Sequence, residues 1–477
     1  MPDKRGVSNT TKNTAAAHHT AAKGDLTAGP VGRHLVRLTI PMTFGILAII
    51  SFQLIDMFYI SLLGTEALAA VTFTFPVTFA LFSLTLGMSI ATSSTLSRLI
   101  GAGDMMRVRR IITHVLIMAL ILGIVLSILG LLFLDPLFRA MGADENMMPM
   151  IHDYMLIWFL GSFFINTPVV GNAILRSSGD AVFPATLMTV AAIANAILDP
   201  LLIFGKFGFP EMGMQGAAIA TVASNACALA VSLYVIVWRK KMATRTHFTR
   251  HIRLFGDSVK RIVFIALPVG LTGIIQPFVN GIITALLAAT GPHAVAAFGI
   301  ATRVEAFVFI IIMALATGMG PILGQNWGAQ KFGRVNETLK KAFSFAVSWS
   351  VFVALVLVIF AKPIAGIFSS DADVIKNAAF YFTIVPLSYA FGNIVQGWCS
   401  AFNAIGFPKR SFIMIATKLI VVNVPLVLIG SHIAGETGIF AAIAATNILC
   451  GITFHLWSIR FFVKREKALT DGLVSAA

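Results

Sequence analysis

Two carboxylates lie deep inside stretches of this sequence that are otherwise apolar. Asp56 is near the end of the first long apolar stretch, and Asp199 is near the end of the fifth. A helical rise of about 1.5 Å per residue puts each carboxylate about 27 Å from the start of its own stretch, near Leu38 and Ala181 respectively. Because a charge in hydrocarbon costs a few kcal/mol, two carboxylates at one depth predict a functional site in a membrane.

Asn195 and Pro200 add oxygen atoms close to Asp199. Asn195 precedes Asp199 by about one helical turn, so the two side chains share a helix face. Pro200 has no amide hydrogen, which leaves the carbonyl of Ala196 without its usual helical donor. Together these groups can present a carboxylate, an amide oxygen and a free carbonyl to one ligand.

Thr221 and Tyr154 reach the same level from the sixth and fourth apolar stretches. Hard cations take oxygen ligands, and burial can change the protonation of a carboxylate. The set therefore indicates a site for H+ or for a monovalent cation, and for Na+ the predicted ligands are Asp56, Asn195 and Asp199. Taken singly, Asn195, Thr221 and Tyr154 are also typical of ordinary hydrogen bonding between membrane helices.

The chain consists of two copies of one unit. A single shift superposes Pro41 on Pro268, Gly64 on Gly291, Gly101 on Gly328, Tyr154 on Tyr381 and Gly179 on Gly406. Each copy has six apolar spans, an even number, so both copies enter and leave the membrane on one side and are related by an axis along its normal. The same shift places Asp56 on Ile283 and Asp199 on Leu426, so only the first copy has the carboxylate pair.

The composition excludes a water-soluble globule. Of the 477 residues, 57% are hydrophobic and 12% are charged, and the mean hydropathy is +0.88. We predict an all-α integral membrane protein with twelve transmembrane helices in two six-helix lobes related by a pseudo-two-fold axis along the membrane normal. The predicted parts are a disordered cytoplasmic tail (1–33), an N-lobe (34–238), a cytoplasmic linker (239–259), a C-lobe (260–463) and a second cytoplasmic tail (464–477).

The net charge of +15 is distributed as in a membrane protein and needs no nucleic-acid partner. Four basic residues fall in loops on one side of the predicted membrane: Arg139, Lys206, Lys362 and Lys376. Arg303 and Lys418 fall inside spans, and the other basic residues belong to the opposite side or the termini. The positive-inside rule therefore predicts a multi-pass protein of the cytoplasmic (inner) membrane with both termini in the cytoplasm.

Several motifs resemble the multidrug and toxic compound extrusion (MATE) family from about Leu35 to Lys464. They are Ile40-Pro41, Gly64 to Ala70 after Asp56, Leu175 to Asp180, Asn195 to Pro200, Gly216 to Thr221, Arg303 to Glu305, and Gly324 to Ala329. The resemblance implies a two-lobe exporter that expels amphipathic, often cationic compounds in exchange for inward Na+ or H+. Within the family the chain resembles the DinF-type branch, whose cation site would be Asp56, Asn195, Asp199 and Thr221, with Tyr154 beside it.

The NorM-type branch has acidic residues in the seventh and tenth helices, where this sequence has Gln276 and no carboxylate around Tyr389. We therefore expect ion coupling in the N-lobe, and we take Tyr154, Gln276 and Asn172 as candidates for the substrate cavity. We expect no cofactor, small amphipathic substrates and a monomer in the bilayer. Arg303 and Glu305 do not face each other on a helix, so each is expected to pair elsewhere.

Two other classes of function are open at this point. A flippase for lipid-linked oligosaccharides would have the same helical architecture, with basic residues in its cleft, for which Arg303 and Lys418 are the candidates. A membrane-embedded enzyme would need a nucleophile with its base or a metal cluster, and the sequence suggests neither.

Overall fold

The computed structural model describes residues 25–243 and 252–471. The other residues of the predicted tails and linker, 1–24, 244–251 and 472–477, lie outside the described residues. The described chain is helical, because a segment that crosses hydrocarbon must satisfy its backbone hydrogen bonds internally.

The N-lobe contains eight helices. They are α1 (Val31–Ser61), α2 (Thr65–Gly101), α3 (Met105–Leu132), α4 (Leu134–Ala140), α5 (Met148–Leu160), α6 (Ser162–Ser177), α7 (Val182–Ile203) and α8 (Gly213–Tyr234), which continues as a π-helical turn (Val235–Arg239). Helices α5 and α6 meet at Gly161 with a bend of 49° and together form one broken span. Helix α4 is too short to cross the bilayer.

The C-lobe repeats this order. Its helices are α9 (Ile252–Thr290), α10 (Pro292–Val308), α11 (Ile310–Gly328), α12 (Phe332–Ile359), α13 (Ala361–Phe368), α14 (Ala372–Ile384), α15 (Tyr389–Ala404), α16 (Pro408–Ala416) and α17 (Val424–Thr470). A π-helical segment, Thr417–Asn423, joins α16 to α17. The backbone of α17 is broken at Ala434 and Gly435, so α16 and α17 together cross the membrane twice.

The described helices account for the twelve predicted spans. Ten helical segments are long and apolar enough to cross by themselves, and the bent pair α5–α6 makes an eleventh. The segment Pro408–Ala468, with 61 residues, contains two spans because it turns back at Gly435, where φ is 56°. We call the side on which α1 begins the terminal face; there α2, α6, α11 and α15 end.

The two lobes contact each other near the terminal face. Helix α2 packs against α9 and α11, and α1 packs against α11. Ser94 on α2 donates its hydroxyl to the carbonyls of Asn403 and Ala404 at the end of α15. Gln325 on α11 donates to the carbonyl of Ser177 at the end of α6, with a distance of 2.9 Å. We call this contact between the ends of α2, α6, α11 and α15 the seam.

Residues 25–30 differ from the tail that the sequence predicted through residue 33. Leu26 is 1% exposed, and α1 begins at Val31. The prediction was based on the polar composition of the first thirty residues. Backbone hydrogen bonds to the C-lobe order residues 25–30 instead, and composition does not reveal such bonds.

Candidate cation site

Helices α1 and α7 carry the two carboxylates and pack closely along their length. A Cβ at Gly45 on α1 would lie 3.1 Å from the Cα atom of Ala185 on α7, so the absence of a side chain permits this close approach. Asp56 and Asp199 lie further along the same two helices, in the half of the membrane away from the terminal face.

Asn195 and Asp199 form a hydrogen-bonded pair on α7. The Nδ2 atom of Asn195 donates to Oδ1 of Asp199 at 3.3 Å, and the two side chains are 1% and 0% exposed. Asp56 lies close enough to Asp199 for their charges to interact, and both interact electrostatically with Tyr154. The structure therefore brings α1, α5 and α7 together at the level predicted from helical rise.

Four oxygen atoms of the predicted site are buried without a hydrogen-bond partner among the described residues. They are Oδ1 of Asp56, Oδ1 of Asn195, Oδ2 of Asp199 and Oγ1 of Thr221. Unsatisfied buried oxygens are unusual in native proteins, because each loses its hydration. They occur here on the four side chains that the sequence predicts as a cation site.

The donor set suits a small monovalent cation or a proton. The site offers two carboxylates, an amide oxygen and a hydroxyl, all hard ligands. No cluster of three or more His, Cys, Asp or Glu side chains suited to a metal occurs in residues 25–243 or 252–471. Asp56, Asn195 and Asp199 would hold Na+, and either carboxylate could instead accept a proton.

Asn172 and Gln276 lie on different elements from this cluster. Asn172 on α6 is buried, and no donor among the described residues reaches its Oδ1 atom. Gln276 on α9 is exposed, and its Nε2 atom donates to Oδ1 of Asn280 one turn later at 2.9 Å. Gln276 is therefore accessible for contact with a ligand in the C-lobe.

The structure contains a second carboxylate that accepts hydrogen bonds inside the helical bundle, in the C-lobe, and it is half-buried. Glu305 on α10 accepts hydrogen bonds from the hydroxyls of Tyr381 at 2.6 Å and Tyr389 at 2.8 Å. Glu305 was expected to pair with a group other than Arg303, and in the structure two phenols donate to one of its carboxylate oxygens. The internal repeat contained a signal for this group, since Tyr381 corresponds to Tyr154 beside the N-lobe carboxylates.

Lys418 is the other basic residue that falls inside a predicted span. It lies in the π-helical segment that follows α16, within electrostatic range of Glu305, Cys399 and Cys450. These three residues belong to α10, α15 and α17, so the lysine lies among the helices of the C-lobe.

Comparison with known proteins identifies the family. The MatE family model matches the chain twice, at residues 41–201 and 268–429, one match in each lobe. A protein named FAD transporter from Shewanella oneidensis is 40% identical over 448 residues, which cover 94% of this chain and 99% of the relative. The multidrug export protein MepA from Staphylococcus haemolyticus is 25% identical and covers 91% and 95%.

Solved structures agree with this assignment. The Vibrio cholerae MATE transporter VcmN in its bent form superposes with a TM-score of 0.86 at 28% identity, over 91% of this chain and 98% of that chain. A MOP superfamily transporter from Pyrococcus furiosus superposes with a TM-score of 0.85 at 27% identity, over 94% and 99%. The family model matches each of the two lobes, and the solved structures have the same fold. The chain therefore belongs to the MatE family, the multidrug and toxic compound extrusion proteins, and is a membrane transporter and not an enzyme.

Proposed function

We propose that this protein is an antiporter that exports amphipathic compounds by alternating access, driven by inward movement of H+ or Na+ through the N-lobe. The observation that carries the proposal is the group of four unsatisfied buried oxygens on Asp56, Asn195, Asp199 and Thr221. The terminal face is the cytoplasmic face by the distribution of basic residues, and the bilayer is the inner membrane. The lobes contact each other at the seam on that face, and the predicted site lies in the half of the membrane away from it.

Electrostatic repulsion between Asp56 and Asp199 couples the ion to the conformation in this proposal. With both carboxylates ionised, α1 and α7 repel each other locally, and a bound proton or Na+ removes that repulsion. A ligand shifts a conformational equilibrium only by its difference in affinity for the two states. Loading the site therefore favours closer packing of α1 on α7 and a smaller cavity, which displaces the exported compound.

A flavin dinucleotide is the specific substrate that we propose to test first. The S. oneidensis relative is named for FAD, and the MepA relatives are named for multidrug export. The resemblance to the family implied amphipathic, often cationic compounds, whereas FAD has a negatively charged pyrophosphate. Arg303 supports an anionic group, because its exposed side chain is part of no ion pair among the described residues and lies more than ten residues along α10 from Pro292.

A charged side chain at that depth faces an aqueous cleft in preference to lipid, where it can contact a phosphate. A flippase for lipid-linked oligosaccharides is the less favoured alternative, because the relatives described above are named for small compounds. We expect the protein to act as a monomer, since each copy of the chain contains both lobes.

Transport in liposomes tests the proposal. Purified protein is reconstituted, and the movement of FAD, of a cationic dye and of a lipid-linked sugar is followed under a Na+ gradient and, separately, under a proton gradient. We expect one ion gradient to drive the first or second compound and no gradient-driven movement of the lipid-linked sugar. Transport that ignores both gradients, or that remains normal in Asp56→Asn, would contradict the proposed coupling.

A further inference from the structure

The segment Asp25–Pro30, which precedes α1, is bound to the C-lobe through its backbone; we call it the strap. The amide of Leu26 donates to Oε1 of Gln325 at 3.0 Å, and the carbonyl of Leu26 accepts from Nδ2 of Asn326 at 3.1 Å. Gln325 and Asn326 are 1% and 0% exposed. Two buried amide side chains on α11 therefore bind one residue of the strap through both its backbone donor and its acceptor.

Two basic side chains, one on α12 and one in the turn before it, bind carbonyls of residues 26–29 of the strap. Nζ of Lys331 donates to the carbonyl and the hydroxyl of Thr27 at 3.0 and 3.1 Å. Arg334 donates to the carbonyls of Gly29 at 2.7 Å, Leu26 at 3.1 Å and Ala28 at 3.4 Å. The guanidinium of Arg334 thus binds the carbonyls of three residues of the strap, whose backbone bends from Thr27 to Gly29.

Arg334 is itself positioned by the same site. Its Nε atom donates to Oδ1 of Asn326 at 2.8 Å, while Nδ2 of Asn326 donates to the strap. Asn326 therefore uses both ends of its amide in this contact. The amides of Gln325 and Asn326 and the guanidinium of Arg334 therefore form one polar network that binds the strap.

The side chain of Leu26 anchors the strap in apolar surroundings. It belongs to one buried cluster with Val31 and Leu35 of α1 and with Trp327 and Val335 of the C-lobe. The cluster combines residues of the first N-lobe helix with residues of the C-lobe, so this apolar contact crosses between the lobes.

Gln325 connects the strap to the seam. Its Oε1 atom accepts from Leu26, and its Nε2 atom donates to the carbonyl of Ser177 in the N-lobe. Release of the strap would leave a buried amide oxygen without a partner, at a cost comparable to a lost hydrogen bond. The strap thus stabilises the side chain that bridges the two lobes.

The strap and the first turns of α1 contact the C-lobe, and α1 contacts the N-lobe further along its length. The strap is bound to α11 and α12, whereas Gly45 on α1 packs against Ala185 on α7 of the N-lobe. Separation of the lobes at the terminal face pulls directly on the segment between these anchors. We propose that the polar site formed by Gln325, Asn326, Lys331 and Arg334 is a binding site for the chain's own Asp25–Pro30 segment, and that the bound strap holds the seam closed.

This inference rests on the alternating access in the proposed function, but its test does not require transport. Ser97→Cys places a thiol in the seam, because Ser97 is fully buried and faces Gly324 of α11. Cys227→Ser and Cys450→Ser remove two native thiols, and buried Cys399 remains as an internal reference within the C-lobe. Labelling by a membrane-impermeant maleimide is measured in inside-out vesicles without substrate or ion gradient.

Leu26→Asp removes the apolar contact of the strap, and Arg334→Gln removes hydrogen bonds to its carbonyls. Arg37→Gln, at an exposed position on α1, is the matched control. We expect labelling of Ser97→Cys to accelerate by about tenfold in both strap variants, because loss of a strap contact shifts the equilibrium between the closed and the open seam toward the open state. Labelling of Cys399 and the Arg37→Gln control should not change.

Unchanged labelling in both strap variants, or equal acceleration at Cys399, would overturn the inference, the second result indicating general loosening of the protein. Transport in the parent protein is measured in parallel. If transport is absent while the strap variants label faster, the proposed export function is wrong and the inference about the strap stands. If transport is present while labelling is unchanged, only the inference about the strap is wrong.

Discussion

Gly101 at the end of α2 packs directly on the carbonyl oxygen of Gln325 on α11, with no room for a Cβ atom between them. The reciprocal contact is present as well, because Gly328 packs on the carbonyl of Arg98 in the same way. The shift that relates the two copies converts Gly101 into Gly328 and Arg98 into Gln325. The pseudo-two-fold axis therefore passes through the seam, where each lobe contributes the same contact.

We predict that Gly101→Ala opens the seam. The added methyl group would overlap backbone atoms on the opposite lobe, and such overpacking costs about 1–3 kcal/mol. We expect the equilibrium to shift toward opening at the terminal face, measured as faster labelling of Ser97→Cys. Gly333→Ala is the control, because a Cβ at Gly333 would contact nothing within 4 Å. Equal labelling in the two alanine variants would show that the seam tolerates the methyl group.

We predict that Asp56→Asn abolishes gradient-driven export while the protein still folds. The substitution removes one charge with little change of volume, so it removes coupling without creating a cavity. Efflux from liposomes should fall to that of protein-free liposomes, with an unchanged melting temperature. Asp135→Asn, at an exposed position on α4, is the matched control and should transport normally. Normal efflux from Asp56→Asn would remove this carboxylate from the mechanism.

We predict that Asp199→Asn and Asn195→Ala impair the same step. Their 3.3 Å hydrogen bond makes them one unit, so either change should weaken cation binding, followed by Na+-dependent thermal shift or by proton uptake. The double variant should be little worse than either single variant, because contacting residues are not additive. If Gln276→Ala damaged coupling while these two variants behaved normally, the ion site would lie in the C-lobe.

The sequence predicted that the N-lobe carboxylates lie at one level because the signal is local, and their role in ion coupling stays a prediction. A carboxylate in an apolar stretch is conspicuous, helical rise gives its depth, and Asn195 and Asp199 are one turn apart on one helix. The repeat also predicted the two lobes. The structure adds that Asp56 and Asp199 approach each other through the packing of α1 on α7.

The contacts of Glu305 and of the strap were not predictable in this way. Glu305 takes its donors from α14 and α15, far along the chain, and no spacing rule relates α10 to either helix. The strap has no periodic pattern, and its partners bind backbone atoms, which every residue type has. Contacts of this kind depend on tertiary geometry and not on composition.

We predict that the tyrosines stabilise the C-lobe through Glu305. Tyr381→Phe removes one of the two donors to a half-buried carboxylate, which costs about 1–3 kcal/mol, so the melting temperature of the purified protein should fall. Tyr234→Phe is the control, because Tyr234 is exposed and stacks on Trp238. Restoration of the melting temperature by Glu305→Gln in the Tyr381→Phe background would identify the unsatisfied charge as the cause. Identical melting of both phenylalanine variants would contradict the assigned role.

Competition between ion and substrate is the last prediction, and it concerns the energetics of coupling. An inward ion gradient drives export only if ion occupancy lowers the affinity of the protein for the exported compound. A ligand that binds two conformations with equal affinity does not shift the equilibrium between them. Neutralising Asp56 and Asp199 removes their repulsion and favours the smaller cavity, so saturating H+ or Na+ should weaken substrate binding.

Binding of FAD or a dye to the purified protein, measured by calorimetry from about pH 5 to about pH 9 with and without Na+, checks this competition. The mechanism fixes the direction in which substrate affinity changes: it should fall as the pH falls or as the Na+ concentration rises. Asp56→Asn should show reduced affinity under all these conditions, because asparagine mimics the loaded carboxylate. Asp135→Asn should keep the parent profile. An affinity that changes with neither pH nor Na+ would mean that these carboxylates do not communicate with the substrate, and it would disprove coupling by repulsion even if Asp56→Asn stops transport.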